Sequence, residues 1–258
     1  MISTIPGDLL GVLRSARHVV VLTGAGFSAE SGVPTFREAQ TGLWARFRPE
    51  ELATPEAFAR HPREVWEWYA WRRVLVAKAR PHAGHRALVE LARRVPTLTL
   101  ITQNVDGLHQ RSGCREVIEL HGNLTRVRCA GTCGTSPLPE SPDTLPPPCP
   151  CCGQPLRPDV VWFGESLPAD ALAQAWQAAG ACDLLFSIGT STLVYPAAAL
   201  PEVALDAGAS VVEVNPDETP LSRRATWCLR GKAASVLPLL LERTWAQEKG
   251  KPLQSDDD

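Results

Sequence analysis

His18-Val19-Val20-Val21-Leu22-Thr23-Gly24-Ala25-Gly26-Phe27-Ser28-Ala29 is the stretch that decides the fold. The Val/Leu run reads as a strand buried on both faces, and the glycines behind it stop it in a turn. That turn fits the pattern G-x-G-x-x-G/A. The first glycine permits a tight turn, the second lets backbone approach a pyrophosphate, and Ala29 lets helix and strand pack closely. An ordinary tight turn would look the same in isolation. A conventional dinucleotide fold also places an acidic residue at the end of its second strand, about 20 residues on. Here a polar loop stands there instead, so the nicotinamide half of any dinucleotide must be handled differently.

Outward from this stretch the signature recurs. Thr97–Ile101, Glu116–Leu120, Asp183–Ile188 and Ser210–Val214 are further apolar runs ending in turn signals. Helical patterns alternate with them at Asp8–Ala16, Ala83–Arg94, Ala169–Ala179, Ala197–Ala207 and Ala233–Arg243. Such alternation predicts an α/β fold, a Rossmann-like doubly wound parallel sheet, with a smaller lobe built from two insertions. The expected division assigns residues 1–37, 81–125 and 158–245 to the sheet domain. It gives 38–80 to a helical insertion, 126–157 to a metal-binding module and 246–258 to a disordered tail. Small, polar or reactive residues follow the strands: Gly24-Ala25-Gly26, Gln103-Asn104-Val105-Asp106, His121-Gly122, Gly189-Thr190-Ser191 and Asn215-Pro216-Asp217. They mark the carboxyl edge, where open α/β sheets bind ligands.

Composition narrows the function classes. The chain has 258 residues, 44% hydrophobic and 21% charged, with a formal net charge of -2. That balance gives no electrostatic case for nucleic-acid binding, and no apolar run approaches membrane-spanning length. Without a leader-like start, the expected compartment is the cytoplasm.

Five of the eight cysteines fall between 129 and 152, which suits a metal site better than a disulfide scaffold. Cys129-x3-Cys133 and Cys149-x2-Cys152 match two knuckles around a tetrahedral zinc ion. Cys151 is an alternative ligand by position. Four thiolates would fill the coordination sphere, so the zinc is expected to be structural.

His121 follows a strand, a position that a hydrogen-bonded structural histidine could fill equally well. Its neighbours change that reading. Gly24 through Arg37, Thr102 through His109, His121-Gly122, Val160 through Glu165, Gly189-Thr190-Ser191 and Val194-Tyr195-Pro196-Ala197 stand in order along the chain. With the zinc knuckles between the third and fourth, they resemble the sirtuin family of NAD-dependent protein lysine deacylases over nearly the whole chain. The first knuckle departs from the family, which more often has two intervening residues.

The resemblance implies that NAD is consumed. An acyl-lysine carbonyl oxygen attacks the anomeric carbon, nicotinamide leaves, and His121 acts as general base on the ribose hydroxyls. The products would be free lysine, nicotinamide and O-acyl-ADP-ribose. Asn104 and Asp106 would engage the carboxamide and ribose, Gln103 the ribose, Phe36 the anomeric carbon and Arg37 the ribose–phosphate region. Gly24, Ala25, Gly26 and Glu30 would line the phosphate turn, beside Val105. Gly189, Thr190, Ser191, Asn215, Pro216, Asp217 and Ala233 would line the adenosine side. Val161-Trp162-Phe163-Gly164 would be an exposed strand pairing with an acyl-lysine peptide, near Val194 and Tyr195. A buried strand is the plainer reading of that segment.

The Trp-rich segment Glu64–Arg73 reads as an amphipathic helix, with Trp68, Trp71 and Leu75 on its apolar face. Tyr69 and Arg72 are three apart on a neighbouring face, where an Arg packed on a Tyr would be unexceptional. Within the family resemblance, Tyr69-x-x-Arg72 with Ala53 looks like the set found in members that prefer succinyl, malonyl or glutaryl lysine. Partners would then be acylated lysine segments of cytoplasmic proteins, with neither membrane nor nucleic acid involved. A mainly acetyl-directed enzyme and a protein ADP-ribosyltransferase stay open as alternatives.

Overall fold

The computed structural model describes residues 4–33, 49–139 and 143–246. Strands are β1 (His18–Thr23), β2 (Thr97–Thr102), β3 (Val117–Glu119), β4 (Gly122–Cys129), β5 (Thr135–Pro137), β6 (Leu156–Val160), β7 (Leu184–Ile188), β8 (Ser210–Val214) and β9 (Trp227–Leu229). Helices are α1 (Gly7–Ser15), α2 (Ala25–Ala29), α3 (Pro49–Leu52), α4 (Pro55–Arg60), α5 (Pro62–Lys78), α6 (Ala83–Arg94), α7 (Leu108–Ser112), α8 (Ala169–Ala181), α9 (Leu200–Asp206) and α10 (Ala233–Trp245).

The large sheet is parallel throughout, in the order β3-β2-β1-β7-β8-β9. Both faces are covered, which is why its central strands read as continuous apolar runs. Alternate residues of β1 serve opposite cores. Val19 and Val21 pack with Leu9, Leu13, Leu88, Leu91, Val236 and Leu240, from α1, α6 and α10. Val20 and Leu22 pack with Ala175, Ala179, Leu200 and Ala204, from α8 and α9. The expected helix Ala197–Ala207 divides into a 3-10 turn at Ala197–Ala199 and then α9. Pro201 accounts for the restart, since it has no N–H to continue the first turn but fits at a helix start. The edge strand β9 was not foreseen, being too short to carry a periodic signal.

The chain leaves β1 toward β2 and β3 on one side, and β7 to β9 lie on the other. The order in which strands are laid down reverses between β1 and β7, which opens a crevice at their carboxyl ends. Here the two turns interlock. Gly24 N–H donates to the Ile188 carbonyl at 3.0 Å and Gly26 N–H to the Gly189 carbonyl at 2.8 Å. Gly189 has φ +59°, and a Cβ on it would sit 2.3 Å from the Phe27 nitrogen. The Gly26 N–H is therefore spent on the protein, and the Phe27 N–H goes to the Gly24 carbonyl at 2.9 Å. The glycine pattern is required first by turn-to-turn packing.

The smaller lobe joins the helices α3 to α5 to an antiparallel sheet of order β5-β4-β6. β4 starts at Gly122, directly after His121, and pairs there with Val160. Gly122 has φ +78°, and a Cβ on it would fall 2.1 Å from the Asp159 carbonyl oxygen. No other residue type fits at that step between sheets. At the far end of β4 the sulfurs of Cys129, Cys133, Cys149 and Cys152 lie within 4.8 Å of one another. A tetrahedral Zn–S4 centre needs S···S separations of about 3.8 Å, so the set fits one ion with small adjustments. Cys151 is exposed and outside this group, which settles the choice between Cys149 and its neighbour. Backbone N–H groups of Cys151 and Cys152 point at the Cys149 sulfur and lower its thiol to about 6, favouring the thiolate a metal needs. The four cysteines thus form a closed structural zinc site.

Two outcomes follow for stability. Gly189→Ala should lower stability by about 2–3 kcal/mol, from positive-φ strain and the clash with Phe27. Thermal or urea denaturation reads this directly, and an unchanged midpoint would mean the turns do not interlock. Purified protein should carry roughly one zinc per chain. Cys149→Ser should lose the metal and expose the small lobe to proteolysis. Metal analysis finding no zinc in protein with all four cysteines reduced would refute the assignment.

Candidate functional site

The crevice is furnished by the loops that leave β1, β2, β3, β7 and β8. After β2 the chain turns through Gln103-Asn104-Val105-Asp106. Gln103 N–H donates to the Thr23 carbonyl at 2.9 Å, and Gln103 Nε2 to Thr190 Oγ1 at 3.1 Å. Asn104 is 9% exposed, and its Nδ2 donates to the Gly24 carbonyl and to Ser28 Oγ, each at 2.9 Å. Asn104 is thereby locked against the glycine turn. Val105 is half-buried, and its carbonyl takes the Leu124 N–H at 2.8 Å. Asp106 is 3% exposed and accepts the Leu108 N–H at 2.8 Å. Burial holds its carboxyl above the usual carboxylate range, with a Ser28 hydrogen bond working against the rise.

His121 sits half-buried between the two sheets. Its Nδ1 lies 3.0 Å from the Gln103 carbonyl oxygen, which can only accept, so Nδ1 carries the proton. Nε2 is then the unprotonated nitrogen, the form a general base requires. Burial lowers the His121 pKa, with the Gln103 carbonyl opposing the shift. Other histidines do different work. Phe27 is caged by His82, His85 and His109, with ring centroids 4.9, 4.5 and 5.2 Å away. Burial holds His85 down at about 2 and His109 at about 4, so both remain neutral walls of the core.

At the carboxyl ends of β7 and β8, Thr190 is the hub. Its Oγ1 meets Gln103, and its carbonyl accepts Asn215 Nδ2 at 3.1 Å. Ser191 is half-buried beside it, and Asp217 N–H returns to Asn215 Oδ1 at 3.3 Å, with Pro216 between them. Glu30 and Ala233 meet elsewhere: the Glu30 carboxylate receives the Ala234 N–H at 3.3 Å, at the start of α10. A carboxylate there complements the helix dipole. Ala25 is exposed at the crevice rim. Phe36 and Arg37 lie outside the described residues.

The acyl side departs from expectation in two ways. β6 ends at Val160, and Val161-Trp162-Phe163-Gly164 continues as extended chain and turn rather than strand. Its donors are used internally. Val161 N–H goes to the His121 carbonyl at 3.0 Å, Trp162 N–H to Glu165 Oε2 at 2.9 Å, and Phe163 N–H to the Ala53 carbonyl at 2.9 Å. Trp162 is buried, while Phe163, Val194 and Tyr195 are 47%, 46% and 67% exposed. Secondly, α5 buries Val65, Trp66, Trp68, Tyr69 and Val76. Tyr69 therefore belongs to the core rather than to a side face. The Arg72 guanidinium lies 5.0 Å from the Trp68 ring centroid and 5.7 Å from that of Tyr69. Burial lowers its pKa, with Tyr69 and then Asp106 opposing the shift.

Ser28 and Glu213 were not singled out from the sequence. Ser28 is the polar partner of Asn104, hidden in the glycine turn. Glu213, 1% exposed, accepts from Ser222 Oγ at 2.5 Å and Arg230 Nη1 at 2.7 Å, and also from Thr219. It braces the loop after β8. Sitting inside an apolar strand, it could have been flagged as a buried charge needing a partner.

Comparison with known proteins agrees with this geometry. The Sir2 family model matches residues 24–196. The NAD-dependent protein deacylase of Aquifex aeolicus is 55% identical over 226 residues, covering 85% of this chain and 92% of its own. That of Thermus thermophilus is 51% identical over 234 residues, covering 89% and 91%. A crystal structure of a Sir2 homolog–NAD complex superposes with a TM-score of 0.89 at 47% identity, covering 95% of this chain and 96% of that one. A structure of Sir2 bound to acetylated peptide gives 0.83 at 31%, covering 93% and 98%. With its motifs, fold and crevice in accord, this chain belongs to the Sir2 family.

Proposed function

We propose that this protein is an NAD-dependent protein lysine deacylase whose pocket favours acyl chains ending in a carboxylate, succinyl and malonyl, while still accepting acetyl-lysine. The deacylase reading is carried by His121: its Nδ1–H is spent on the Gln103 carbonyl, so Nε2 keeps its lone pair. Relatives named NAD-dependent protein deacylases and a matched complex with NAD support it. NAD, when bound, supplies an electrophilic ribose carbon and a nicotinamide leaving group. Gln103, Asn104, Asp106, Thr190, Ser191 and Asn215 are a donor and acceptor set suited to its amide, ribose and phosphate groups. In this reading Asn104 and Asp106 orient the nicotinamide end and His121 withdraws a ribose hydroxyl proton. Acylated lysine segments of proteins are the partners.

The acyl preference rests on the juxtaposition of Tyr69 and Arg72. An Arg fork and a phenol hydroxyl are both donors, and a terminal carboxylate offers them two acceptors. Arg72 is half-buried, and an ion pair is stronger where water is partly excluded. Ala53 keeps the pocket wall small. A mainly acetyl-directed enzyme would retain this pair without using it.

Three outcomes are expected. Arg72→Met should cut kcat/KM on a succinyl-lysine peptide about tenfold or more, equivalent to about 1.4 kcal/mol, with a smaller effect on an acetyl-lysine peptide. Equal losses on both would favour the acetyl-directed alternative. His121→Tyr should reduce turnover at least about 100-fold without lowering the melting temperature. Because burial lowers the His121 pKa, the neutral base survives to lower pH than in a free imidazole. Parent kcat/KM should therefore stay level down to about 6.5 and fall only as pH drops below it. An acid limb above that point would remove His121 from the role.

A further inference from the structure

Trp162 stands in a segment expected to pair with a peptide, yet its ring is buried and held from every side. Its indole Nε1–H donates to the Tyr69 hydroxyl oxygen at 2.9 Å. The Arg157 guanidinium stacks on the indole, 3.4 Å from the ring centroid. Arg157 also grips both oxygens of Glu165, at 2.5 and 2.9 Å, and the Val160 carbonyl at 2.9 Å. Glu165 Oε2 in turn accepts the Trp162 N–H, and Glu165 N–H returns to the Trp162 carbonyl at 3.0 Å. Phe58 closes the remaining side, its ring centroid 5.3 Å from that of Trp162. Arg157 is itself 7% exposed, so the indole is fixed by a desolvated ionic clamp rather than by loose packing.

A phenol hydroxyl lies in the plane of its ring and offers two directions for its proton. A donor arriving on one side leaves the proton only the other. We infer that Trp162 is a positioning residue for acyl selection: by donating to the Tyr69 oxygen it obliges Tyr69 to present its own O–H as a donor. Tyr69 and Arg72 then act as two fixed donors, a set matched to a carboxylate. Without the indole N–H, the Tyr69 hydroxyl can turn its proton away and meet the carboxylate with a lone pair. The glutamate–arginine clamp is the support that holds the indole to this task. The inference rests on the carboxylate-acyl reading above and assigns its specificity to a residue that never touches the acyl chain.

The test is a double-mutant cycle on succinyl- and acetyl-lysine peptides. Trp162→Phe keeps the aromatic wall and deletes the donor. The ratio of succinyl to acetyl kcat/KM should fall about fivefold, the size of one net hydrogen bond, mainly through a higher KM for the succinyl peptide. Adding Trp162→Phe to Tyr69→Phe should change the ratio no further, since the effect acts through the hydroxyl. A ratio that is unaltered, or equally reduced in the Tyr69→Phe background, overturns the inference and leaves Trp162 a packing residue. Should Trp162→Phe fold poorly, the parent answers by nuclear magnetic resonance. Its Trp162 indole N–H should be protected from exchange and should lose that protection in Tyr69→Phe. Retained protection is the overturning result. The underlying reading fails separately, by Arg72→Met having equal effects on the two peptides, whatever Trp162 does.

Discussion

The crevice depends on the interlocked turns after β1 and β7. Gly24, Gly26 and Gly189 approach so closely that any Cβ among them would overlap backbone, and the hydrogen bonds from Gly24 and Gly26 tie the two turns together. With that contact in place, Ser28 and the Gly24 carbonyl stand where Asn104 can bond both, and Thr190 stands where it can bond Gln103. The Gln103–Asn104 side and the Thr190 side of the crevice are thus coupled through one patch of side-chain-free backbone. Interiors packed at this density change by discrete rearrangement rather than gradual shift, so the patch acts as a rigid reference for the whole site.

A second joint lies at His121-Gly122. The strand β3 of the large sheet ends just before it, and β4 of the small sheet begins just after. His121 is therefore bonded to the large-sheet side through Gln103 and to the small-lobe side through the Val161 N–H. His121 thus stands on the seam that joins the two sheets. The zinc cluster at the far end of β4 keeps the small sheet folded where its own hydrophobic core is slight.

Much of this was legible in the chain. Strands buried on both faces carry a long apolar signal, so β1, β2, β7 and β8 were placed within a residue or so of their ends. The cysteine spacing likewise announced its metal, because two knuckles must bring four thiolates to one point. Less legible were elements whose signals are short or non-local. β9 has three residues, and β4 to β6 are stabilised by pairing across an insertion rather than by their own periodicity. The family resemblance implied an exposed strand at 161–164, where the residues alone read more plainly as a buried one. The N–H groups of Val161, Trp162 and Phe163 are in fact taken by His121, Glu165 and Ala53, partners remote in sequence except for Glu165.

By itself the sequence determined the alternation of strands and helices, the glycine turn and the thiolate set. Those properties are local, written in residue type and spacing. Tertiary structure alone decided what the donors and acceptors face. It turned Gly26 N–H toward Gly189 instead of outward, placed Tyr69 in the core, and brought the Trp162 indole to the Tyr69 hydroxyl across 93 residues. Hydrogen-bond partners and burial depend on which distant backbone fills the space beside a side chain, and only the folded chain supplies that neighbour.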